Sequence, residues 1–293
     1  MAGLRLMAIH AHPDDESSKG AATMAKYAAE GNRVKVVTCT DGRRGDILNP
    51  AMDRPGVLEN MTAVRHEEMA RAVEALGVEH VWLGYEDSGL PEGDPLPPLP
   101  EGSFAVQDPE EVAVKIVEEI REFKPHVIIT YDENGGYPHP DHLMVHAISM
   151  IAWEKAGDAS FAPEAGEPWT PLKLYYSHGF ILQRMKLLQE ALFERGEKSP
   201  YELMIKRWEE AEGDVFDRVT TQVECADYFE QRAQALTAHA TQIDPAGAFL
   251  ARPVSDQQKV WPTEEFELAR TRVETTLPED DLFAGIDAGA EEE

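Results

Sequence analysis

Short runs of strand-forming residues alternate with helical stretches in the first half of this chain, and this alternation strongly constrains its fold. Residues 4–9, 34–39, 80–83 and 126–130 are short and apolar, which predicts buried strands. Repeated strand–helix–strand order gives right-handed crossovers and a parallel sheet. We therefore expect an α/β fold with a doubly wound, mainly parallel sheet.

The stretches between these strands carry helix start and stop signals. A first helix is expected from about Ser18 to Gly31, and a second from about Asn60 to Gly77. A third opens at Asp108 followed by Pro109, the order of a capping residue and a first-turn proline. These helices are long enough to cover the faces of the sheet.

The second half of the chain has a different pattern of predicted secondary structure, with more helix than strand. One more strand is expected at Leu172–Ser177, and a proline-rich loop at residues 89–102 is placed to wall a pocket. Helices are expected over four ranges: Leu182–Glu197, Tyr201–Glu212, Cys225–Ala240 and Thr263–Val273. We expect a single domain, 1–293, with an α/β core over about 1–180 and a mostly helical subregion over about 181–293.

Charge and composition exclude several classes of partner. With 55 acidic and 27 basic residues the formal net charge is −28, so a polyanion would be repelled and nucleic-acid binding is not expected. No apolar run approaches the roughly 20 residues needed to span a bilayer, so no membrane partner is expected. The absence of a signal-peptide pattern and the presence of only two cysteines, Cys39 and Cys225, predict a cytoplasmic location.

Two clusters of histidine and carboxylate side chains follow two of the expected strands. The first is His-Ala-His-Pro-Asp-Asp-Glu at 10–16, and the second is Tyr-Pro-His-Pro-Asp-His at 137–142. Pro13 and Pro140 restrict the histidine before each of them to extended backbone, which fixes the direction of its side chain. Because ligands bind at the carboxyl ends of parallel strands, we expect both clusters to form one site.

The clusters contain the ligand types of a catalytic metal centre, which needs about three protein ligands and an open position. His12, Asp15 and His142 would supply two imidazoles and one carboxylate, a set suited to zinc and also to ferrous iron. Spacing alone leaves His139, His142 and His146 as competing ligands in the second cluster.

The neighbouring acids admit two interpretations. Acidic residues that begin a helix are commonly caps and dipole partners, which could be the whole role of Glu16. Two carboxylates beside a cation can instead divide the work, one binding the metal and the other removing a proton from its water.

The motifs at 11–16 and 138–142 resemble the LmbE-like superfamily of N-acetylglucosaminyl-type deacetylases, which are metal-dependent amide hydrolases of Rossmann-like fold. Residues 15–20, 131–137, 239–245 and 276–281 resemble the amidase branch of that superfamily, which cleaves mycothiol S-conjugates to glucosaminyl-inositol and an N-acetylcysteine S-conjugate. The expected substrate is therefore a small thiol-glycoside conjugate, and the expected role is detoxification.

The resemblance implies a role for each residue of the two motifs. One ion per chain, zinc with ferrous iron as the alternative, would be bound by His12, Asp15 and His142. The implied catalytic residues are the general base Asp14, the general acid His139, its orienting partner Asp141, and Tyr137 for the developing oxyanion.

The resemblance also suggests substrate contacts. Lys19, Arg65 and Asp87 match positions expected to meet the conjugate. Arg43 stands where family members often carry an acid, so a sugar contact from that position is not expected here.

Two other functions stay open at this stage. Deacetylation of N-acetylglucosaminyl-inositol would use the same catalytic residues. A sugar-binding module that has lost catalysis is the alternative from another class, although the presence of Asp14 and His139 argues against it.

Overall fold

The computed structural model describes residues 3–210 and 215–287, and within them seven strands form one mixed sheet. The strands are β1 (Arg5–His10), β2 (Arg33–Thr40), β3 (Glu79–Tyr85), β4 (Val127–Thr130), β5 (Lys173–His178), β6 (Thr221–Glu224) and β7 (Thr263–Thr271). Their order is β3-β2-β1-β4-β5-β7-β6. The first five are parallel, whereas β7 runs antiparallel to both β5 and β6. The expected mainly parallel α/β fold is confirmed.

Helices pack on both faces of this sheet. They are α1 (Asp15–Ser18), α2 (Ala21–Ala29), α3 (Met61–Leu76), α4 (Pro109–Phe123), α5 (Pro140–Lys155), α6 (Leu182–Phe193), α7 (Glu202–Glu209), α8 (Phe229–Ala238) and α9 (Val254–Val260). Successive residues of β1 point to opposite faces. Met7 and Ile9 belong to the core formed with α4 and α5, whereas Leu6 and Ala8 belong to the core formed with α2 and α3.

The helix ends in the first half lie close to the positions that the sequence predicts. The Asp108 side chain accepts hydrogen bonds from the backbone N–H groups of Glu110 and Glu111, and α3 ends at Gly77 with a φ of 70°. The expected first helix is split, because Gly20, with a φ of 88°, makes a turn between α1 and α2. This turn places Lys19 beside the carboxyl end of β1.

The region after residue 180 contributes more to the sheet than expected. It contains α6 to α9, but the expected helix over Thr263–Val273 is wrong, because Thr263–Thr271 is strand β7. Phe266 is fully buried in the core on the α2 and α3 face, and the backbone of β7 joins β5 to β6. The end of the helix expected over Tyr201–Glu212 lies outside the described residues, while its first part is α7.

The strand order reverses between β1 and β4. The chain moves from β1 outward to β2 and β3, then returns to place β4 on the other side of β1. A crevice forms at such a switch point, beyond the carboxyl ends of the two strands. The first His/Asp cluster follows β1 directly, and the second follows β4 after residues 131–136. Within the described residues, the helices are all too short or too polar to cross a bilayer.

Candidate metal and catalytic site

Three potential metal ligands meet at the switch point. The Nδ1 of His12 lies 3.2 Å from the Nε2 of His142, and each of these nitrogens lies 3.5 Å from Oδ2 of Asp15. All three side chains are buried. His12 and Asp15 follow β1, whereas His142 lies in the first turn of α5. Residues about 130 positions apart therefore present three donor atoms to one point.

Hydrogen bonds on the outer side of each ring fix which nitrogen carries the proton. The Nδ1 of His142 donates to the carbonyl oxygen of Gly135 at 2.8 Å, and the Nε2 of His12 donates to Oδ2 of Asp141 at 3.1 Å. When the other nitrogen of each ring carries no proton, its lone pair points toward Asp15. A metal-binding histidine typically donates its second N–H to a carbonyl or carboxylate in this way.

The distances between these atoms fit a small divalent ion. Metal–ligand bonds of about 2.0–2.1 Å in a tetrahedron place neighbouring ligand atoms about 3.3 Å apart. The observed separations of 3.2, 3.5 and 3.5 Å lie close to that value. A second group, His12, Asp87, His139 and Asp141, has atoms within 4.8 Å of one another. The buried cluster could therefore hold a metal ion, and the first group has the more suitable donor set.

The electrostatics of the cluster also favour a cation. Burial lowers the pKa of His12, but Asp141, Asp15 and Asp87 outweigh it and raise that pKa well above 6.5. A positive charge is thus favoured between these carboxylates. Burial opposes ionisation of Asp15, yet Lys19 and the two imidazoles hold its pKa well below its ordinary value.

The carboxylate of Asp15 is held in place by several donors. Its Oδ2 accepts from the Tyr131 hydroxyl at 2.7 Å and from the His12 backbone at 2.9 Å, while its Oδ1 accepts from Nζ of Lys19 at 2.5 Å. The ring of Tyr131 also stacks on His142 with centroids 4.3 Å apart. Tyr131 therefore positions two of the three potential ligands.

Asp14 lies beside the cluster in an unusual backbone conformation. Its φ of 122° is one that side-chain-bearing residues rarely adopt. Its side chain is 25% exposed, and Oδ2 lies 3.0 Å from a guanidinium nitrogen of Arg65. Burial raises the pKa of Asp14, Arg65 opposes this shift, and Asp15 adds to it. An accessible carboxylate with a raised pKa is suited to accept a proton.

Glu16 does more than begin a helix. Its Oε1 lies 2.6 Å from Nε2 of His239, and both side chains are fully buried. Its Oε2 accepts from the backbone N–H of Asp14 at 2.9 Å. Burial opposes its ionisation, but His239 lowers the pKa of Glu16 to about 2, and Glu16 in turn raises the pKa of His239 despite its burial. This ion pair fixes the strained backbone at Asp14.

His139 lies at the N-cap of α5, and the backbone of Asp141 is its hydrogen-bond partner. Its Nδ1 accepts from the backbone N–H of Asp141 at 3.1 Å, which leaves Nε2 to carry the proton. The Asp141 carboxylate instead bonds to His12 and accepts from the backbone N–H of Ser88. Burial and the neighbouring His12 lower the pKa of His139 to about 4. The Asp141 backbone, rather than its carboxylate, is hydrogen-bonded to the His139 ring.

Three further residues in or near the two clusters, Tyr137, His146 and His10, have different surroundings. Tyr137 is 40% exposed, and its ring lies 4.6 Å from that of His142. The Nδ1 of His146 contacts the carbonyl oxygen of Tyr131 at 3.1 Å, outside the potential metal-binding groups. His10 is buried in the core with its ring edge-on to Tyr131. Tyr137 is therefore the accessible aromatic group beside the cluster.

Each of the three expected substrate contacts has a partner within the protein. Lys19 contacts Asp15, and Arg65 contacts Asp14 and the carbonyl oxygens of Gly42 and Pro13. Asp87 accepts from the backbone N–H groups of Arg44 and Gly89, and its Oδ1 lies 3.6 Å from Nε2 of His12. Their contact with substrate stays a prediction. Arg43 pairs with Asp41 and Glu86 in the loop after β2.

Two residues of the site had no role in the sequence-based prediction. Tyr131 bonds to a potential ligand, and His239, from the end of α8, reaches Glu16 across 223 positions of sequence. Both lie within segments that resemble the amidase branch, which was the available signal. Their partners depend on the folded arrangement, so spacing gave no indication of them.

Comparisons with known proteins place this site in a family. The family model described as PIG-L, GlcNAc-PI de-N-acetylase, matches residues 7–153. The chain is 59% identical over 290 residues to "Mycothiol S-conjugate amidase" from Streptomyces coelicolor, with 97% of both chains covered. It is 39% identical to "1D-myo-inositol 2-acetamido-2-deoxy-alpha-D-glucopyranoside deacetylase" from Streptomyces scabiei, covering 97% of this chain and 90% of that protein.

Solved structures share the fold at much lower identity. N,N'-diacetylchitobiose deacetylase from Pyrococcus horikoshii superposes with a TM-score of 0.59 at 16% identity, covering 90% of this chain and 83% of that one. The expected membership in a superfamily of deacetylases and amidases is confirmed. The family model matches half of the chain, and the 59% identity to the Streptomyces coelicolor amidase extends over 97% of it. The chain therefore belongs to the PIG-L (GlcNAc-PI de-N-acetylase) family.

Proposed function

We propose that this protein is a metal-dependent hydrolase that cleaves the amide bond of mycothiol S-conjugates, releasing glucosaminyl-inositol and an N-acetylcysteine S-conjugate. The observation that supports this most strongly is the 59% identity to the Streptomyces coelicolor amidase over 97% of both chains. A small thiol-glycoside conjugate as substrate belongs to the proposal. A cytoplasmic location does too, in line with Cys39 and Cys225 being free and buried.

In this proposal His12, Asp15 and His142 hold one divalent ion, zinc or ferrous iron. Such an ion would lower the pKa of a water molecule and polarise the amide carbonyl. Gly135 and Asp141 keep the two imidazoles in the tautomers that binding requires, as the hydrogen bonds at 2.8 and 3.1 Å indicate.

Asp14 is proposed as the general base. It is accessible, its carboxylate is oriented by Arg65, and its raised pKa gives it more affinity for a proton than an ordinary aspartate has. Arg65 thereby acts as a positioning residue as well as a candidate substrate contact.

His139 and Tyr137 are proposed to donate to the reacting amide. Nδ1 of the neutral His139 ring accepts from the Asp141 backbone, so its Nε2–H is the group that can donate to the reacting amide. The amine product needs a proton to depart, and the general-acid role requires the imidazolium form of His139, so the proton that Asp14 removes from water has to reach this ring before the amine leaves. Tyr137 keeps its hydroxyl proton, since burial and Asp15 raise its pKa, and can donate a hydrogen bond to the oxyanion.

Deacetylation of N-acetylglucosaminyl-inositol is the second candidate, favoured by the 39% identity to the Streptomyces scabiei deacetylase. The test compares kcat/KM for a bimane conjugate of mycothiol with kcat/KM for acetate release from N-acetylglucosaminyl-inositol, using the same metal-loaded enzyme. The proposal expects a clear preference for the conjugate. A preference for acetate release would refute it, and tight binding of both without turnover would support a non-catalytic module.

A further inference from the structure

Two cavities lie beside the site, against the region formed by the chain after residue 176. The one nearer the site has about 720 Å³ of empty space, and the wall of this near cavity includes Lys19 and Gly136. Lys19 contacts Asp15, and Gly136 follows the glycine whose carbonyl oxygen holds His142. The near cavity therefore lies next to the contacts that hold two of the three proposed metal ligands.

The second, far cavity adjoins the first. Residues 177–180 line both, and Phe180 lies at the junction between them. The far cavity has about 890 Å³ of empty space, part of it open to solvent. A molecule that occupies the near cavity can thus extend past Phe180 into the far cavity.

The far cavity is lined by large apolar and aromatic side chains. They include Phe180, Met185, Leu188, Met204, Phe249 and Trp261. Methionine and aromatic rings adapt to flat apolar groups of different shapes. The rings of Phe180 and Phe249 lie 6.2 Å apart, so the junction and the far cavity share an aromatic wall.

The charged groups in the wall of the far cavity are already paired. Arg184 lies 3.2 Å from Glu265, and Arg232 lies 3.5 Å from Glu264. Glu265 also accepts from the indole N–H of Trp261 at 2.6 Å. Because these charges satisfy one another, they do not require a charged ligand, and an apolar group is the better match.

We propose that the far cavity binds the group attached to sulfur in the conjugate, and that it selects apolar, aromatic substituents. This inference rests on the proposed function. In a cysteinyl amide two carbons separate the reacting carbonyl from the sulfur, so a substituent on sulfur extends away from the metal site. An acetyl group ends at its methyl carbon and has nothing to place in such a cavity. The far cavity therefore fits an amidase for S-conjugates better than a deacetylase.

Filling the far cavity tests the proposal. Met204→Trp adds an indole to its wall from α7, and Ala248→Phe adds a ring from a separate segment, so that a folding defect in one does not decide the result. Leu203→Trp is the matched control, because Leu203 is the preceding residue of α7 and is largely exposed. The substrates are two conjugates of mycothiol, one with an S-methyl group and one with the bicyclic bimane.

Each filling variant should lower kcat/KM for the bimane conjugate by about 10-fold or more while changing that for the S-methyl conjugate by less than about 2-fold. The control should leave the ratio of the two unchanged. Unchanged ratios in both filling variants, with the wild type cleaving both conjugates, would overturn the cavity assignment alone. A wild type that cleaves neither conjugate would refute the proposed function, and this inference with it.

Discussion

Replacing Glu16 with glutamine tests whether a buried ion pair fixes the backbone that carries the proposed general base. The Glu16 carboxylate lies 2.6 Å from His239 with both side chains fully buried. Its pKa is lowered from 4.5 to about 2, which corresponds to about 3 kcal/mol of stability. Breaking a buried pair by removing one partner costs about 3–5 kcal/mol, so the two magnitudes agree. Glutamine keeps an oxygen for the backbone N–H of Asp14 but removes the charge.

The pH of the measurement follows from the direction of each shift. The folded-state pKa of Glu16 is lowered, so its contribution is present above its unfolded value and is lost as pH falls toward about 2. The folded-state pKa of His239 is raised, so its contribution is present below its unfolded value and is lost as pH rises through the folded one. The pair is therefore strongest between these unfolded values, and about pH 5.5 is suitable.

The assay is urea unfolding of four proteins at equal metal content: wild type, Glu16→Gln, His239→Gln and the double variant. We expect each single variant to lose about 3 kcal/mol and the double variant much less than the sum. Glu79→Gln is the control, because Glu79 pairs with Arg33 at 2.9 Å but about half of each side chain is exposed. It should cost less than about 1 kcal/mol. Additive losses within about 0.5 kcal/mol would refute the reasoning.

Three further predictions concern the site. Asp15→Ala should lose the metal, whereas His139→Ala should keep it and lose most of kcat; equal metal loss, measured by elemental analysis, would contradict the assignment. Gly135→Ala should weaken metal binding in a metal titration, because a Cβ there would lie 2.7 Å from the side chain of His142. Gly136→Ala is the control: Gly136 also has a positive φ, but a Cβ there would meet nothing within 4 Å, so this variant should bind metal normally. Arg65→Gln removes the cation that lowers the pKa of Asp14, the proposed general base. The acidic limb of the profile of kcat/KM against pH should therefore move to higher pH. An unmoved limb would show that Arg65 does not act on Asp14.

The sequence predicts those parts of the fold whose signals are local. The strands before each cluster are apolar runs, and the caps at Gly77 and Asp108 depend on one or two residues. The helix predicted over Thr263–Val273 is wrong, because residues 263–271 form strand β7. Its strand state depends on pairing with β5 and β6, although the alternation of Phe266 and Leu268 with charged residues was a period-two signal.

Some residues of the candidate site have local sequence signals, whereas others are brought together only by the fold. His12, Asp15 and His142 could be proposed as ligands because proline-restricted motifs follow strands that meet at one edge of the sheet. The partner of Glu16 could not be identified, since His239 comes from a helix that packs on α3 only after folding. The Asp141 carboxylate lies near His139, as the resemblance implies, but its hydrogen bond to His12 depends on side-chain direction within the crevice. Such contacts are properties of the packed structure rather than of spacing.

Anomalous diffraction from crystals of the metal-loaded protein tests the central claim most directly. The account predicts one ion per chain, with ligand distances of about 2.0–2.2 Å to Nδ1 of His12, Nε2 of His142 and a carboxylate oxygen of Asp15. An ion bound instead by His12, Asp87, His139 and Asp141, or an ion away from both groups, would contradict it.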